Sequence, residues 1–351
     1  MNPLQDTIGK LVERRNLTEA EAEEAMKCIM SGGATQAQIG SFLTALSMKG
    51  ETVEEITAFA RVMREFATRI NPKVDDVLVD TCGTGGDKIK TFNISTSAMF
   101  VAAGAGVRIA KHGNRSVTSK AGSADVVEAL GARIDLPPEE VERCIESVGI
   151  GFMFAPRFHA AMKHAIGPRR EMGVRTVFNI LGPLTNPAGA QAQVMGVYDA
   201  ELTEKLARVL GKLGCEHAMV VHGMEGLDEI STLGGTQISE LNNGEVRTYA
   251  VFPEDFGIER ANPEAIAGKE LEENVRMMLS VLHGERGPRR DIVLLNAAAT
   301  IVVGEKADGI CEGISIASDS LDSGRAYEKV VQLIEATGGD VRKLKAWEAG
   351  L

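Results

Sequence analysis

The run from Asp80 to Ser97, Asp-Thr-Cys-Gly-Thr-Gly-Gly-Asp-Lys-Ile-Lys-Thr-Phe-Asn-Ile-Ser-Thr-Ser, limits the fold more than any other part of the chain. The apolar residues Val77 to Val79 precede it and the Ala-rich stretch Ala98 to Val107 follows, so the order is strand, glycine loop, helix start. Gly83, Gly85 and Gly86 lack a Cβ and tolerate positive φ, which lets main-chain N–H groups converge on an anion such as phosphate. The hydroxyls of Thr91, Ser95, Thr96 and Ser97 fall where the next helix opens, at unpaired N–H groups and the positive end of the dipole. Cys82 has no histidine beside it in sequence and reads as a small buried filler rather than a nucleophile.

Upstream of the loop the pattern is helical. Three capping boxes, Thr18 with Glu21, Thr35 with Gln38 and Thr52 with Glu55, each open a helix, and Gly32-Gly33 and Gly50 separate them. Ile56, Phe59, Ala60, Met63 and Phe66 keep helical spacing after the third box. Asn71-Pro72 breaks the pattern, which sets a boundary near residue 72 after about four helices. Beyond it, strands are expected at 77–80, 107–110, 149–154, 194–198, 218–222 and 247–249, with helices between most of them. Helices at 272–282, 291–303, 309–317 and 323–336 close the chain. The fold class is therefore α/β: a small N-terminal helical domain plus a larger α/β domain whose mostly parallel central sheet is flanked by helices. In such a sheet, ligands bind outside the carboxyl ends of the strands.

Charge and cysteine usage narrow the function. With 38 basic and 49 acidic residues the net charge is −11, which argues against nucleic acid or an anionic membrane as partner. Five scattered cysteines with no C-x-x-C pair indicate neither a disulfide framework nor a thiolate metal site, and they fit a reducing cytoplasm. No apolar run approaches the ~18 residues of a membrane span, and the first residues carry no basic-then-apolar signal.

Three further clusters carry chemistry. Lys111-His112-Gly113-Asn114-Arg115 follows the strand expected at 107–110, and Ser119, Lys120, Gly122 and Ser123 prolong a donor-rich loop suited to an anionic substrate. Asp228-Glu229 follows the strand end Val220 to Gly223, where paired carboxylates suit magnesium. Arg169-Arg170 and Arg175, with His159 and Lys163 nearby in sequence, offer a carboxylate receptor. His159 and His164 are five residues apart and miss the spacing of a shared helix face, so they are weak as a metal pair.

Taken in order, Asp80 to Lys88, Asn93-Ile-Ser-Thr96, Lys111 to Arg115, Gly122-Ser-Ala-Asp125, Asn179-Ile-Leu-Gly-Pro-Leu-Thr-Asn-Pro187 and Val221-His-Gly with Asp228-Glu-Ile-Ser231 closely resemble the anthranilate phosphoribosyltransferase family over nearly the whole length. The resemblance implies a homodimeric cytoplasmic enzyme of tryptophan biosynthesis. It implies a helical domain of residues 1–72 joined by about 169–190, and an α/β domain of 73–168 and 191–351, with the active site in the cleft between them. Gly83, Thr84, Gly85, Gly86 and Asp87 would wrap the diphosphate of phosphoribosyl pyrophosphate. Asn93, Ser95 and Thr96 would hold phosphate, ribose or magnesium, Lys111 would contact the phosphoribosyl group, and Thr91, His112, Gly113, Arg115 and Ser119 are expected among the substrate-binding residues. Asn114, His159 and Arg169 would line the anthranilate entry, Arg169 by pairing with the carboxylate. Ser95, Asp228 and Glu229 would hold Mg²⁺. The serine-rich run usual in the family reads Val117-Thr118-Ser119-Lys120-Ala121 here, with one hydroxyl fewer at Ala121.

The chemistry expected is displacement of diphosphate at the ribose anomeric carbon by an aromatic amine that is already neutral near pH 7, so no general base is expected. Two rivals stand beside this reading. One is a pyrimidine nucleoside phosphorylase-like enzyme with a related glycine loop; the other is a nucleic-acid-binding paralogue of the same fold.

Overall fold

The computed structural model describes residues 3–86, 88–116 and 121–350; Asp87 and the run Val117, Thr118, Ser119 and Lys120, all named above, lie outside this set. Four helices open the chain, α1 (Pro3–Val12), α2 (Glu19–Met30), α3 (Gln36–Lys49) and α4 (Val53–Phe66). All three capping boxes form as expected, with each threonine hydroxyl accepting from the N3 amide and each Glu or Gln side chain reaching back. Glu55 does more than cap: it is fully buried, accepts from Leu17 N–H at 2.8 Å and pairs with Lys49 at 2.8 Å. The third box thereby ties the helices to one another.

The α/β part follows as β1 (Leu78–Gly83), α5 (Ile94–Gly104), β2 (Arg108–Gly113), α6 (Ser123–Ala129), α7 (Pro138–Val148), β3 (Ile150–Phe154), the single turn α8 (Ala155–Phe158) and α9 (Lys163–Met172). Next come the turn α10 (Phe178–Leu181), β4 (Ala192–Gly196), α11 (Leu202–Lys212), β5 (His217–Gly223), β6 (Thr236–Asn242), β7 (Glu245–Val251) and the turn α12 (Pro263–Ile266). Helices α13 (Leu271–Leu282), α14 (Pro288–Val303), α15 (Ile310–Asp322), α16 (Arg325–Ala336) and α17 (Val341–Glu348) complete the chain.

The seven strands form one sheet in the order β3-β2-β1-β4-β5-β6-β7, parallel from β3 to β5 and antiparallel for the last two. Strand β6 was not anticipated. The apolar residues of its Thr-Gln-Ile-Ser-Glu-Leu-Asn are only Ile238 and Leu241, three apart, so no period-two alternation marks it, and the hairpin partner that stabilises it, β7, has its strand signal cut short by exposed polar positions.

Strand alternation sorts the core. Val79, Ile109, Ile150, Phe152, Val194, Met219 and Val221 face a layer that includes α5, α13, α14 and α16. On the opposite face, Met195, Val197, Ala218 and Val220 pack with α11 and with Ile56, Phe59, Leu43 and Ile29 of the first four helices. Ala110 and Met153 pack there too, against Val141, Cys144 and Ile145 of α7. Each fully buried Ile or Phe of α4 contributes about 1.5–3 kcal/mol through burial, and it does so against the sheet as well as against its own bundle. Both sheet faces are covered, as a parallel sheet requires.

Candidate active site

Strands β1, β2 and β3 run to one side of the sheet and β4 onward to the other, so the chain reverses direction between β1 and β4. A crevice opens at the carboxyl ends on either side of such a reversal. Gly83 and Gly196 end those two strands in register, and Thr84 N–H donates to the Gly196 carbonyl at 2.9 Å. The β5–β6 connection folds over both. A Cβ on Gly196 would lie 1.6 Å from the Asp228 carbonyl oxygen, and one on Gly83 would lie 2.4 Å from Asp228 Oδ2. These two glycines are small so that Asp228 fits, whereas Gly85 and Gly86 serve the turn itself, with φ of +64° and +82°.

The two acids lie directly on the amides expected to bind an anion. Gly85 N–H donates to Asp228 Oδ2 at 3.1 Å, and Ser95 N–H, in the first turn of α5, donates to Glu229 Oε1 at 3.2 Å. Protein carboxylates therefore occupy the glycine loop and the helix N-terminus that the sequence reading reserved for phosphate. Asn93 caps α5 without a side-chain cap bond; its Nδ2 donates to the Ala121 carbonyl at 3.2 Å, and the Ala121 methyl is buried in the core. Thr96 is buried, and the Ser97 hydroxyl turns back to the Asn93 carbonyl at 3.0 Å, so it serves the helix rather than a ligand. Thr91 makes an isolated bridge to Ala267.

The second cluster departs from expectation at its start. Strand β2 continues through Lys111, His112 and Gly113, so the rim loop begins only at Asn114. The cause is register: Lys111, His112 and Gly113 pair with Phe152, Met153 and Phe154 of β3. Lys111 is 2% exposed, its ammonium donating to the Thr81 carbonyl and, at 3.3 Å, to Thr81 Oγ1. Asp80 is completely buried, its Oδ1 accepting from His112 N–H at 3.1 Å and its Oδ2 from Asn186 Nδ2 at 2.8 Å. Burial pushes the Asp80 carboxyl up and the Lys111 ammonium down, while their mutual attraction opposes both shifts. Arg115 turns to Asp125 and Glu128, each at 2.8 Å, and these acceptors hold its guanidinium firmly protonated. Asn114 is exposed, and Gly113 packs where a Cβ would meet the Phe152 ring at 2.4 Å.

The side chain of His112 lies in a different environment. The His112 and His159 rings come within 4.9 Å of each other, a pairing that the sequence, with 46 intervening positions, gave no sign of. Each ring bonds to main chain of the 182–187 segment, His112 at Gly182 and His159 at Thr185. The Nε2 atoms of both are buried with no hydrogen-bond partner. Burial lowers His112 to about 3 and His159 to about 4, so both are neutral at pH 7. Arg169, near the end of α9, stacks over the Phe178 ring at 5.0 Å, and burial alone moves its pKa, downward. No ion pair to it occurs among the described residues.

Arg175 is not helical and does not join Arg169. It hydrogen-bonds the Gly86 carbonyl at 2.8 Å and lies over the Tyr198 ring at 4.3 Å. Cys82 behaves as a filler: burial pushes its thiol well up, and Gln193 Nε2 donates to the sulfur at 3.1 Å. Asn186 and Gln193 join the 182–187 segment to the strands, Asn186 to Asp80 and to the Ala110 carbonyl, Gln193 to the Pro183 carbonyl. The only signal for Asn186 was its place in the Gly-Pro-Leu-Thr-Asn-Pro run.

Comparison with known proteins gives a consistent result. Residues 75–327 match the glycosyl transferase family a/b domain, and residues 5–67 match the helical bundle domain of the same family. The chain is 58% identical to the anthranilate phosphoribosyltransferase of Acetivibrio thermocellus over 95% of its own length and 96% of that protein. Against the Symbiobacterium thermophilum protein of the same name it is 58% identical, over 94% and 96% respectively. The crystal structure of the Thermus thermophilus anthranilate phosphoribosyltransferase superposes with a TM-score of 0.89 at 43% identity, covering 95% of this chain and 99% of that one. The Saccharomyces cerevisiae enzyme, solved in complex with PRPP and Mg, superposes with a TM-score of 0.87 at 29% identity, over 95% and 98%.

Proposed function

The chain belongs to the anthranilate phosphoribosyltransferase family, and from that premise we infer how its own residues divide the reaction. It transfers the phosphoribosyl group of phosphoribosyl pyrophosphate to the amine of anthranilate, giving N-(5-phosphoribosyl)anthranilate and diphosphate. The observation that carries the reading is the coincidence, at the β1/β4 crevice, of glycine-loop amides, a helix N-terminus and two adjacent carboxylates. The phosphorylase-like and nucleic-acid-binding alternatives find no support in these relatives.

We read Gly83 to Gly86 and the first turn of α5 as the diphosphate side. Asp228, Glu229 and Ser95 supply hard oxygen donors at its mouth, which suit a magnesium ion that takes few protein ligands and fills its remaining positions from water and phosphate. Bound there, magnesium would neutralise charge developing on the leaving diphosphate. Lys111, backed by Asp80, adds fixed positive potential beneath the loop. On the acceptor side Arg169 offers a desolvated guanidinium for the anthranilate carboxylate, and the Nε2 lone pairs of His112 and His159 offer acceptors for an N–H donor. No proton need be removed before attack, so these groups orient the amine instead of deprotonating it.

We assign residues 1–72 and about 169–190 to a helical domain, and 73–168 with 191–351 to the α/β domain; the packing of α9 on α2 and α3 supports this. A homodimer through the helical layer accords with Val12 and Met48, each 69% exposed there. Five free cysteines accord with the cytoplasm. Among the described residues, no helix is long and apolar enough to cross a membrane.

Anthranilate fluorescence tests the assignment: it should decay only when both phosphoribosyl pyrophosphate and magnesium are present. In the Asp228→Ala/Glu229→Ala variant the decay should stop, with no recovery on raising magnesium. An unchanged magnesium response in that variant would remove the metal assignment; decay with inorganic phosphate and a nucleoside would favour the phosphorylase.

A further inference from the structure

Arg175 stands between two parts of the molecule that the sequence keeps apart. It lies just after the end of α9, on the segment that also carries Arg169, yet its guanidinium reaches the glycine loop. Its Nη2 donates to the Gly86 carbonyl at 2.8 Å, while its Cζ lies 4.3 Å from the centre of the Tyr198 ring. Tyr198 follows β4, packs against the core shared by the helical layer and α11, and donates its own N–H to Thr84 Oγ1 at 3.2 Å. The loop is thereby held at Thr84 by Tyr198 and at Gly86 by Arg175, with the aromatic ring as common backing. Gly86 takes φ +82°, and a Cβ there would lie 3.1 Å from the guanidinium. The fork, the aromatic face and the carbonyl suit arginine, because lysine lacks the planar group that stacks and donates at once.

We propose that Arg175 is a positioning residue for the phosphoribosyl donor, a latch that fixes the glycine loop from the anthranilate side, and that it does not bind the anthranilate carboxylate. The proposal rests on the reading that this loop carries the diphosphate. Because the latch is on the segment that supplies Arg169, it also gives the two substrate sites a shared mechanical element. A change at the Arg169 end of the segment can reach the loop through Arg175.

Arg175→Ala, Arg175→Lys and Tyr198→Leu are compared with wild type by steady-state kinetics in both substrates and, without substrates, by hydrogen exchange of the Gly85 and Gly86 amides. Arg175→Ala should raise the donor KM about five- to tenfold, less than the full loss of a charge-assisted hydrogen bond because the loop keeps its anchor at Thr84, and leave the anthranilate KM within about twofold. Exchange of the two amides should quicken, Tyr198→Leu should shift both readouts the same way, and Arg175→Lys should recover only part of the loss. A rise confined to the anthranilate KM, equal rises in both, or unchanged exchange in Arg175→Ala would overturn the latch. If wild type itself consumes no anthranilate with the donor, the functional reading fails instead, and the exchange experiment still decides the latch.

Discussion

The two sides of the proposed site solve opposite problems. On the donor side nearly every polar group is already answered by another part of the chain: Gly85 N–H by Asp228, Ser95 N–H by Glu229, and Lys111 by Thr81 with Asp80 behind it. On the acceptor side His112 Nε2, His159 Nε2 and Thr176 Oγ1 are buried without partners, and Arg169 is desolvated with no acid beside it among the described residues. An unanswered buried polar atom costs free energy that a ligand can return, whereas an answered one must give up a bond before it binds anything. On the proposed reading, the side holding Arg169 and the two histidines would be built in advance for anthranilate, and the glycine-loop side would have to exchange carboxylates for phosphate oxygens. Asp228 and Glu229 would hold magnesium at that point, and the ion would supply the positive charge that favours the exchange.

The contrast can be broken most forcefully beneath the donor loop. Asp80→Asn removes the charge that faces buried Lys111 and turns the Asn186 contact into amide against amide. It should lower stability by on the order of 3 kcal/mol in denaturant unfolding. Adding Lys111→Met should recover a substantial part, since the stranded cation is then gone; no recovery would mean that Asp80 acts on the backbone alone.

On the acceptor side Arg169→Ala should raise the anthranilate KM by about ten- to a hundredfold, as expected for a charge-assisted pair worth ~1.5–3 kcal/mol, with the donor KM little changed. Equal rises would dissolve the division between the two sides.

A further effect concerns pH. His112 and His159 titrate near 3 and 4 when folded, against about 6.5 when unfolded, so between those limits the unfolded chain binds more protons. Their contribution is fully present above pH 6.5 and is lost as pH falls toward 4 and then 3, by about 1–2 kcal/mol for each histidine at pH 5. Unfolding midpoints at pH 7.5 and 5 should differ less in a His112→Gln/His159→Gln variant than in wild type. The same neutrality predicts no ionisation near 6.5 in the pH profile of kcat/KM for anthranilate.

Much of the scaffold was legible from local patterns. The capping boxes at Thr18, Thr35 and Thr52, the glycine loop between β1 and α5, and five of the seven strands within a few residues need only neighbours in sequence. A sixth, β7, was located but drawn too short. Strand β6 was missed because its stability comes from β5 and β7 on either side. Lys111 was expected on a rim loop because nothing local reveals that β3 would extend β2 by three residues.

What the sequence determined alone is therefore the chemistry available: amides and hydroxyls for an anion at 83–97, paired acids at 228–229, and arginines at 169 and 175. What the tertiary structure decided is who faces whom. It laid Asp228 and Glu229 on the loop amides, paired His112 with His159, buried Lys111 beside Asp80, and sent Arg175 to Gly86 while leaving Arg169 open. The reason is physical. Propensity, capping and turn chemistry act over a few residues, whereas the burial and pairing of a charged group are set by strand order and register, which bring together residues from 30 to 143 positions apart.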